Sequence, residues 1–277
     1  MRKKSYAMKM KNFFLCLFAA SILIPIGCKN TEKVSAPTVR HNNDYMEMAV
    51  LYHQCAAEIK AMYYQSFNLA RMMFDQDMAN TSINTKRAII VDIDETMLNN
   101  SPYEAECVLS GIAYPVKWDE WVNKGIAEAL PGTVDFLNYV AGKNAEVFYV
   151  TNRTENQREG TLKNLKEKGF PFADNQHLFM KSGTTNKEIH RKKIAETYHI
   201  SLLIGDNLSD FVNVFDKQSP EIRESRVDSL RNDFGKRFVI LPNAMYGDWE
   251  PALFKYSYNL SETKKDSIRK ANLKGLK

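Results

Sequence analysis

Short apolar runs rich in branched side chains recur through the middle of the chain, and polar residues follow most of them at once. Ala88-Ile89-Ile90-Val91, Glu146-Val147-Phe148-Tyr149-Val150, Leu202-Leu203-Ile204 and Phe238-Val239-Ile240-Leu241 are four such runs, and His177-Leu178-Phe179-Met180 reads as a fifth. Apolar runs of this length, without polar alternation, are strands buried on both faces. Stretches with helical spacing, residues 134–141, 155–168 and 186–198, lie between several of them. Strands alternating with helices predict an α/β fold, a parallel sheet with helices on both faces. From 43 to 80, Met46 and Val50, Ile59 and Met62, Tyr63 and Phe67, and Leu69 and Met73 stand three or four residues apart with no Gly or Pro, so one or two helices should cover a face of that domain. With 277 residues, 44% of them hydrophobic, the chain is long enough for one substantial core.

In such sheets ligands gather beyond the carboxyl ends of the strands. Asp92-Ile93-Asp94-Glu95-Thr96 follows the first run, Thr151-Asn152-Arg153 the second and Gly205-Asp206-Asn207-Leu208-Ser209-Asp210 the third. Ahead of the third run a loop from Lys181 to Lys187 leads into a helix. Asp92, Asp94, Asp206 and Asp210 therefore meet at one edge, where four carboxylates repel one another unless something offsets their charge. A divalent cation with oxygen ligands is the simplest solution, and Mg²⁺ suits carboxylates, water and a substrate phosphate. A carboxylate is also a competent nucleophile at phosphorus. Asp92 and Asp94 stand two apart on an extended segment, so both side chains can point the same way. One can attack while the other protonates the leaving oxygen. Thr151 and its neighbour Asn152 can donate hydrogen bonds to phosphoryl oxygens, and Lys187 or Lys181 can supply a compact positive charge. Singly, these features are bland: paired aspartates often cap helices, and loop lysines are usually solvated. In this order, each beside a strand, they predict phosphoryl chemistry.

The N-terminus predicts export. Arg2, Lys3, Lys4, Lys9 and Lys11 precede an apolar stretch from residue 13 to 26, too short for a membrane span of ~20 residues. The stretch ends Pro25-Ile26-Gly27-Cys28, which resembles a bacterial lipobox, where cleavage leaves Cys28 to carry the lipid; an ordinary signal peptide with an incidental Cys28 is the plainer reading. Residues 28–42 are polar and suit a tether between the membrane and a folded domain. The chain has 38 basic and 33 acidic residues, and removing the leader leaves 33 of each. That balance gives no basic face for a nucleic-acid polymer. Cys55 and Cys107 remain; export permits a disulfide between them, and two buried free thiols are equally compatible.

Longer strings carry a family resemblance: residues 92–103 from Asp92 to Tyr103, Val147-Phe148-Tyr149-Val150-Thr151-Asn152-Arg153, residues 205–211 around Gly205-Asp206-Asn207, and Leu241-Pro242-Asn243-Ala244-Met245-Tyr246-Gly247-Asp248-Trp249-Glu250. They resemble the haloacid-dehalogenase superfamily and, more narrowly, its class C or lipoprotein acid phosphatases. The resemblance covers roughly residues 43 to 260. It implies a Rossmann-like fold with a small helical cap at about 99–131 and a phosphatase domain over 43–277. It further implies that Asp92 is the nucleophile and Asp94 the general acid and base, with its backbone carbonyl on the magnesium. Asp206 would ligate the metal, Asp210 would support it, Thr151 and Lys187 would bind the phosphoryl group, and 5′-nucleotides or aryl phosphates would be substrates. Tyr246 and Tyr114 would stack the base, with Trp118, Trp121 and Trp249 nearby, although most such rings simply pack. Two rivals remain: a phosphotransferase on the same fold, and a surface lipoprotein that holds a nucleotide or haem-like ligand without turnover. The sequence leaves the oligomeric state open, a dimer included.

Overall fold

The computed structural model describes residues 43–183 and 185–276. The expected export signal, Cys28 and the whole of the tether lie outside the described residues. Two helices come first, α1 (Glu47–Cys55) and α2 (Ala57–Met78), divided by Ala56, whose extended backbone (φ −77°, ψ 125°) turns the chain without Gly or Pro. Strand β1 (Arg87–Val91) and the short β2 (Leu98–Asn99) follow, then α3 (Ser101–Ser110), α4 (Trp118–Lys124), β3 (Glu128–Ala129), α5 (Thr133–Gly142) and β4 (Glu146–Val150). The chain continues through α6 (Arg158–Glu167), β5 (Leu178–Phe179), α7 (Glu188–Ala195), β6 (His199–Gly205), α8 (Pro220–Ser229), β7 (Phe238–Ile240), α9 (Trp249–Leu253) and α10 (Glu262–Ala271).

Five strands form one parallel sheet in the order β5-β4-β1-β6-β7. Successive side chains of a strand point to opposite faces, and here both faces are apolar. Ile89, Val91, Val147, Tyr149, Leu202, Ile204 and Val239 pack with Ile59, Tyr63, Phe67, Ala70 and Phe74 of α2 and with α5 and α6. Ala88, Ile90, Phe148, Val150, Leu203 and Phe238 face the other way, against Ile194 of α7 and Phe211. Double coverage is why these strands read as unbroken apolar runs. β6 extends further than its apolar run because Asp77, at the end of α2, accepts hydrogen bonds from Ser201 Oγ (2.6 Å) and Arg87 Nε (2.8 Å) and meets His199 Nε2 at 2.9 Å. Those polar side chains thus have partners, and the ladder runs on beside them.

Between β1 and α5 the chain leaves the sheet and returns through a two-strand antiparallel stem, Leu98 opposite Ala129 and Asn99 opposite Glu128. The stem carries α3 and α4, whose Tyr103, Cys107, Trp118 and Val122 make a small core of their own. Gly160 of α6 lets α4 approach closely: a Cβ there would meet the Val122 carbonyl oxygen and the Asn123 Cα at 2.6 Å. Met46 and Val50 pack with Met245, Ala105 and Val108, so the start of the chain leans on α3 and on the loop after β7. Cys55 is exposed, Cys107 is buried, and both thiols are free. Among the described residues no helix is long and apolar enough to cross a membrane.

Phe74 is fully buried between α2 and the sheet. Phe74→Ala is expected to lower the unfolding free energy by about 3–5 kcal/mol, measured by urea denaturation, without altering the residues beyond the strand ends.

Candidate active site

Each strand of the sheet's centre ends by delivering a polar group to one edge. The Asp92 amide still pairs with the Ile204 carbonyl at 3.0 Å, so Asp92 is held as a continuation of β1. After it the chain folds tightly: Thr96, Met97 and Leu98 amides all donate to the Ile93 carbonyl at 2.8–3.4 Å. Glu95 takes a left-handed backbone conformation (φ 54°) in that turn, which costs a residue with a Cβ about 1 kcal/mol or more. Tyr63 of α2 offsets it by donating to the Glu95 carbonyl at 2.7 Å, while the fully buried Glu95 carboxyl accepts from the Asn100 amide at 2.7 Å. Burial, followed by the neighbouring Asp94 and Asp206, raises the Glu95 pKa well above the usual carboxylate range and so favours its neutral form.

Asp92, Asp206 and Asp210 each present a carboxylate oxygen within 4.8 Å of the others. Lys187 sits among them, 6% exposed, donating to Asp210 Oδ1 at 2.7 Å and to Asp92 Oδ1. Asp206 accepts from Thr96 Oγ1 at 3.1 Å and from Asn243 Nδ2 at 2.8 Å. Asp210 Oδ2 accepts from the Asn207 amide at 3.0 Å. Burial drives the Asp92 pKa up to about 7; Lys187 opposes that rise, and Asp210 and Asp94 add to it. Asp206 is pushed well above its ordinary value by burial, then by Asp210 and Asp92. Burial alone would discharge Lys187, but Asp210 and Asp92 hold its pKa above that of a free lysine. Three carboxyl groups face one ammonium in a site otherwise made of oxygens, and the upward pull on Asp92 and Asp206 shows that Lys187 does not offset them all. That donor set fits one divalent cation.

Asp94 stands outside this cluster. Its Oδ1 accepts from Arg153 Nη2 (2.8 Å), Arg153 Nε (3.0 Å) and Asn100 Nδ2 (2.8 Å), whereas Oδ2 has only a 3.3 Å contact with Arg153 Nε. The Asp94 side chain is thus clamped by a guanidinium rather than grouped for a metal. Arg153, 2% exposed, also donates to Thr161 Oγ1 at 3.0 Å and lies 5.8 Å from the centre of the Trp118 ring. Of the two candidate lysines, Lys187 reaches the carboxylates, while Lys181 meets this edge through its backbone amide, bonded to the Arg153 carbonyl at 2.9 Å. Thr151 is buried, its hydroxyl accepting from the Arg153 amide at 3.1 Å, and the exposed Asn152 lines the cavity.

The cavity above the cluster holds about 400 Å³. Asp92, Asp94, Lys187, Asp206 and Asp210 line one part of it, and Tyr114, Trp118, Tyr246, Tyr45 and Glu104 line others. Tyr114 is 69% exposed and meets Trp118 edge-on at 5.9 Å, whereas Tyr246 is half-buried. Trp121 does not line the cavity; its Nε1 donates to Asn100 Oδ1 at 2.8 Å. Sequence reasoning passed over Arg153 and Asn243, although both stand in strings that follow strands. Their partners, Asp94 and Asp206, are 59 and 37 residues away.

Residues 4–249 match the family model of the haloacid-dehalogenase superfamily, subfamily IIIB (acid phosphatase). The chain belongs to this family. A class C acid phosphatase from Bacillus anthracis is similar in structure, with a TM-score of 0.83 and 43% identity, the match covering 86% of this chain and 100% of that one. A second structure of the Bacillus anthracis enzyme, with tungstate bound, matches with the same score and identity over 85% of this chain and 99% of that one. Acid phosphatase 1 of Solanum lycopersicum is 32% identical over 132 residues, which is 44% of this chain and 51% of that protein. A stem 28 kDa glycoprotein of Glycine max is 28% identical over 172 residues, 57% of this chain. The match spans 63% of that glycoprotein's length, so these plant relatives are covered only in part. The matching family model is one of acid phosphatases, and the carboxylate cluster lines the cavity described above.

Gly205 approaches the cluster closely, since a Cβ there would lie 2.3 Å from Asp210 Oδ2. Gly205→Ala should push Asp210 off Lys187, and a shift of that size is expected to lower kcat/KM on aryl phosphates by roughly 100-fold, read by steady-state hydrolysis.

Proposed function

We propose that this chain is an exported, lipid-anchored, magnesium-dependent phosphomonoesterase that acts on 5′-nucleotides through an aspartyl-phosphate. The observation that carries the reading is the trio Asp92, Asp206 and Asp210 gathered around a single buried Lys187, with Asp94 clamped beside it. Mg²⁺ is the cation that an all-oxygen donor set with a phosphate nearby suits best, and when bound it would neutralise charge on the phosphoryl oxygens. Asp92, Asp206, Asp210 and the Asp94 backbone carbonyl are the groups that would hold it. Tungstate, bound in the Bacillus anthracis structure, is a tetrahedral oxyanion of the same kind as a phosphoryl group.

In the first step a carboxylate oxygen of Asp92 forms a bond to phosphorus as the bond to the leaving alcohol breaks. Asp94 gives its proton to that departing oxygen. Oδ2 is the atom that carries it, because Arg153 and Asn100 occupy Oδ1. In the second step water attacks phosphorus, Asp94 takes the water's proton, and the bond between Asp92 and phosphorus breaks to release phosphate. Lys187 keeps positive charge beside the phosphoryl oxygens throughout, and Thr151 and Asn152 offer donors at the end of β4. The cavity volume, about 400 Å³, falls within the roughly 300–1,000 Å³ usual for small-molecule sites. Tyr114, Trp118 and Tyr246 give it aromatic surface on which a base can stack.

Asp92→Asn should fold normally and lose roughly 10⁴-fold or more in kcat on p-nitrophenyl phosphate; retained turnover rejects the nucleophile. EDTA should abolish wild-type hydrolysis, with Mg²⁺ restoring it. Cys28→Ala should release the protein from the membrane fraction while leaving specific activity unchanged, and membrane retention of that variant rejects the lipid anchor.

A further inference from the structure

Glu104 on α3 lines the same cavity as the carboxylate cluster, and its side chain is 7% exposed. Among the described residues no side chain or backbone group pairs with its carboxyl, either by ion pair or by hydrogen bond. The other carboxylates of that wall are matched. Glu250 accepts from Arg269 at 2.8 Å, and Glu262 accepts from Lys265 at 2.7 Å. Arg269 also covers the Tyr45 ring at 3.5 Å, so the basic groups of this wall are engaged away from Glu104. Burial alone raises the Glu104 pKa, to about 7. A group shifted in that direction destabilises the fold once pH exceeds its unfolded value. A buried, unpaired carboxyl therefore costs stability and has no structural partner to offset it, which is the signature of a group kept for a ligand.

We propose that Glu104 selects the leaving group of the substrate, accepting a hydrogen bond from an amino group on the nucleobase and so favouring amino-bearing 5′-nucleotides over those with a carbonyl at the same position. This rests on the phosphomonoesterase reading, with the phosphate at Asp92 and Lys187 and the base toward the cap. An ionised Glu104 meets an exocyclic N–H₂ with a charge-assisted bond, and meets a carbonyl oxygen with repulsion. Such bonds are worth roughly 10- to 100-fold in discrimination. Glutamine keeps the shape of Glu104 and can both donate and accept, so it should erase the preference.

The test is steady-state hydrolysis of cytidine and uridine 5′-monophosphates, which present an amino group and a carbonyl at one ring position, at about pH 8, where Glu104 is ionised. p-Nitrophenyl phosphate, which has no such group, is the control. Wild type should favour the cytidine ester in kcat/KM by roughly tenfold or more, and Glu104→Gln should bring the ratio to within about twofold of unity through KM, with the control unchanged. The same variant should melt at a higher temperature at about pH 8, because it removes an unpaired buried charge. A ratio that is the same in wild type and Glu104→Gln, with hydrolysis of the control intact, overturns the assignment of Glu104 alone. Failure of wild type to hydrolyse any of the three esters overturns the phosphomonoesterase reading and this assignment with it.

Discussion

An ammonium buried to 6% exposure between Asp92 and Asp210 ties the ends of β1 and β6 to the start of α7. None of the three groups is tolerable alone. Burial opposes the charge on Lys187 and on Asp92 alike, and each favours the charged form of the other. Removing Lys187, which would leave Asp92 and Asp210 without their cation, is the loss that typically costs about 3–5 kcal/mol in a buried pair. The pairing still leaves the cluster acidic, since Asp206 brings a third carboxylate that only Thr96 and Asn243 address. The same arrangement that holds the strand ends together places three acidic groups where they could hold a cation.

Two charge systems lie side by side at this edge and are kept apart. One is the Lys187 cluster. The other is Asp94 with Arg153, a fork that fixes one carboxylate oxygen and leaves the second nearly free. Arg153 approaches the Trp118 face on its far side. A single guanidinium thus orients the proposed proton carrier and contacts the cap at once. A lysine at this position has no planar fork and could not do both.

The architecture was legible because burial on both faces writes itself into the sequence as unbroken apolar runs, and because the residues after those runs were acids in an order with few other uses. The β5 run was readable despite contributing only Leu178 and Phe179 to the sheet. What escaped was the set of partners. Arg153 and Asn243 look like ordinary loop residues, and only the fold shows that they meet Asp94 and Asp206 across 59 and 37 residues. The spacing of Asp94 from Asp92 marks it as a second acid at the same strand end, but local spacing could not reveal that its side chain faces a guanidinium. The extension of β6 through His199 and Ser201 was hidden for the same reason: Asp77, which satisfies them, lies on α2.

Asn100 joins the turn after β1 to the cap: its amide and side chain donate to Glu95, its side chain also donates to Asp94, and it accepts from Trp121. The stem beneath the cap is only two residue pairs long, and Asn100 follows directly on its first strand. Variation in what such a protein accepts is thereby channelled to the outer reaches of the cap, around Tyr114 and along α3. The root near Asn100 resists change, because a shift there would drag the chemistry along with it.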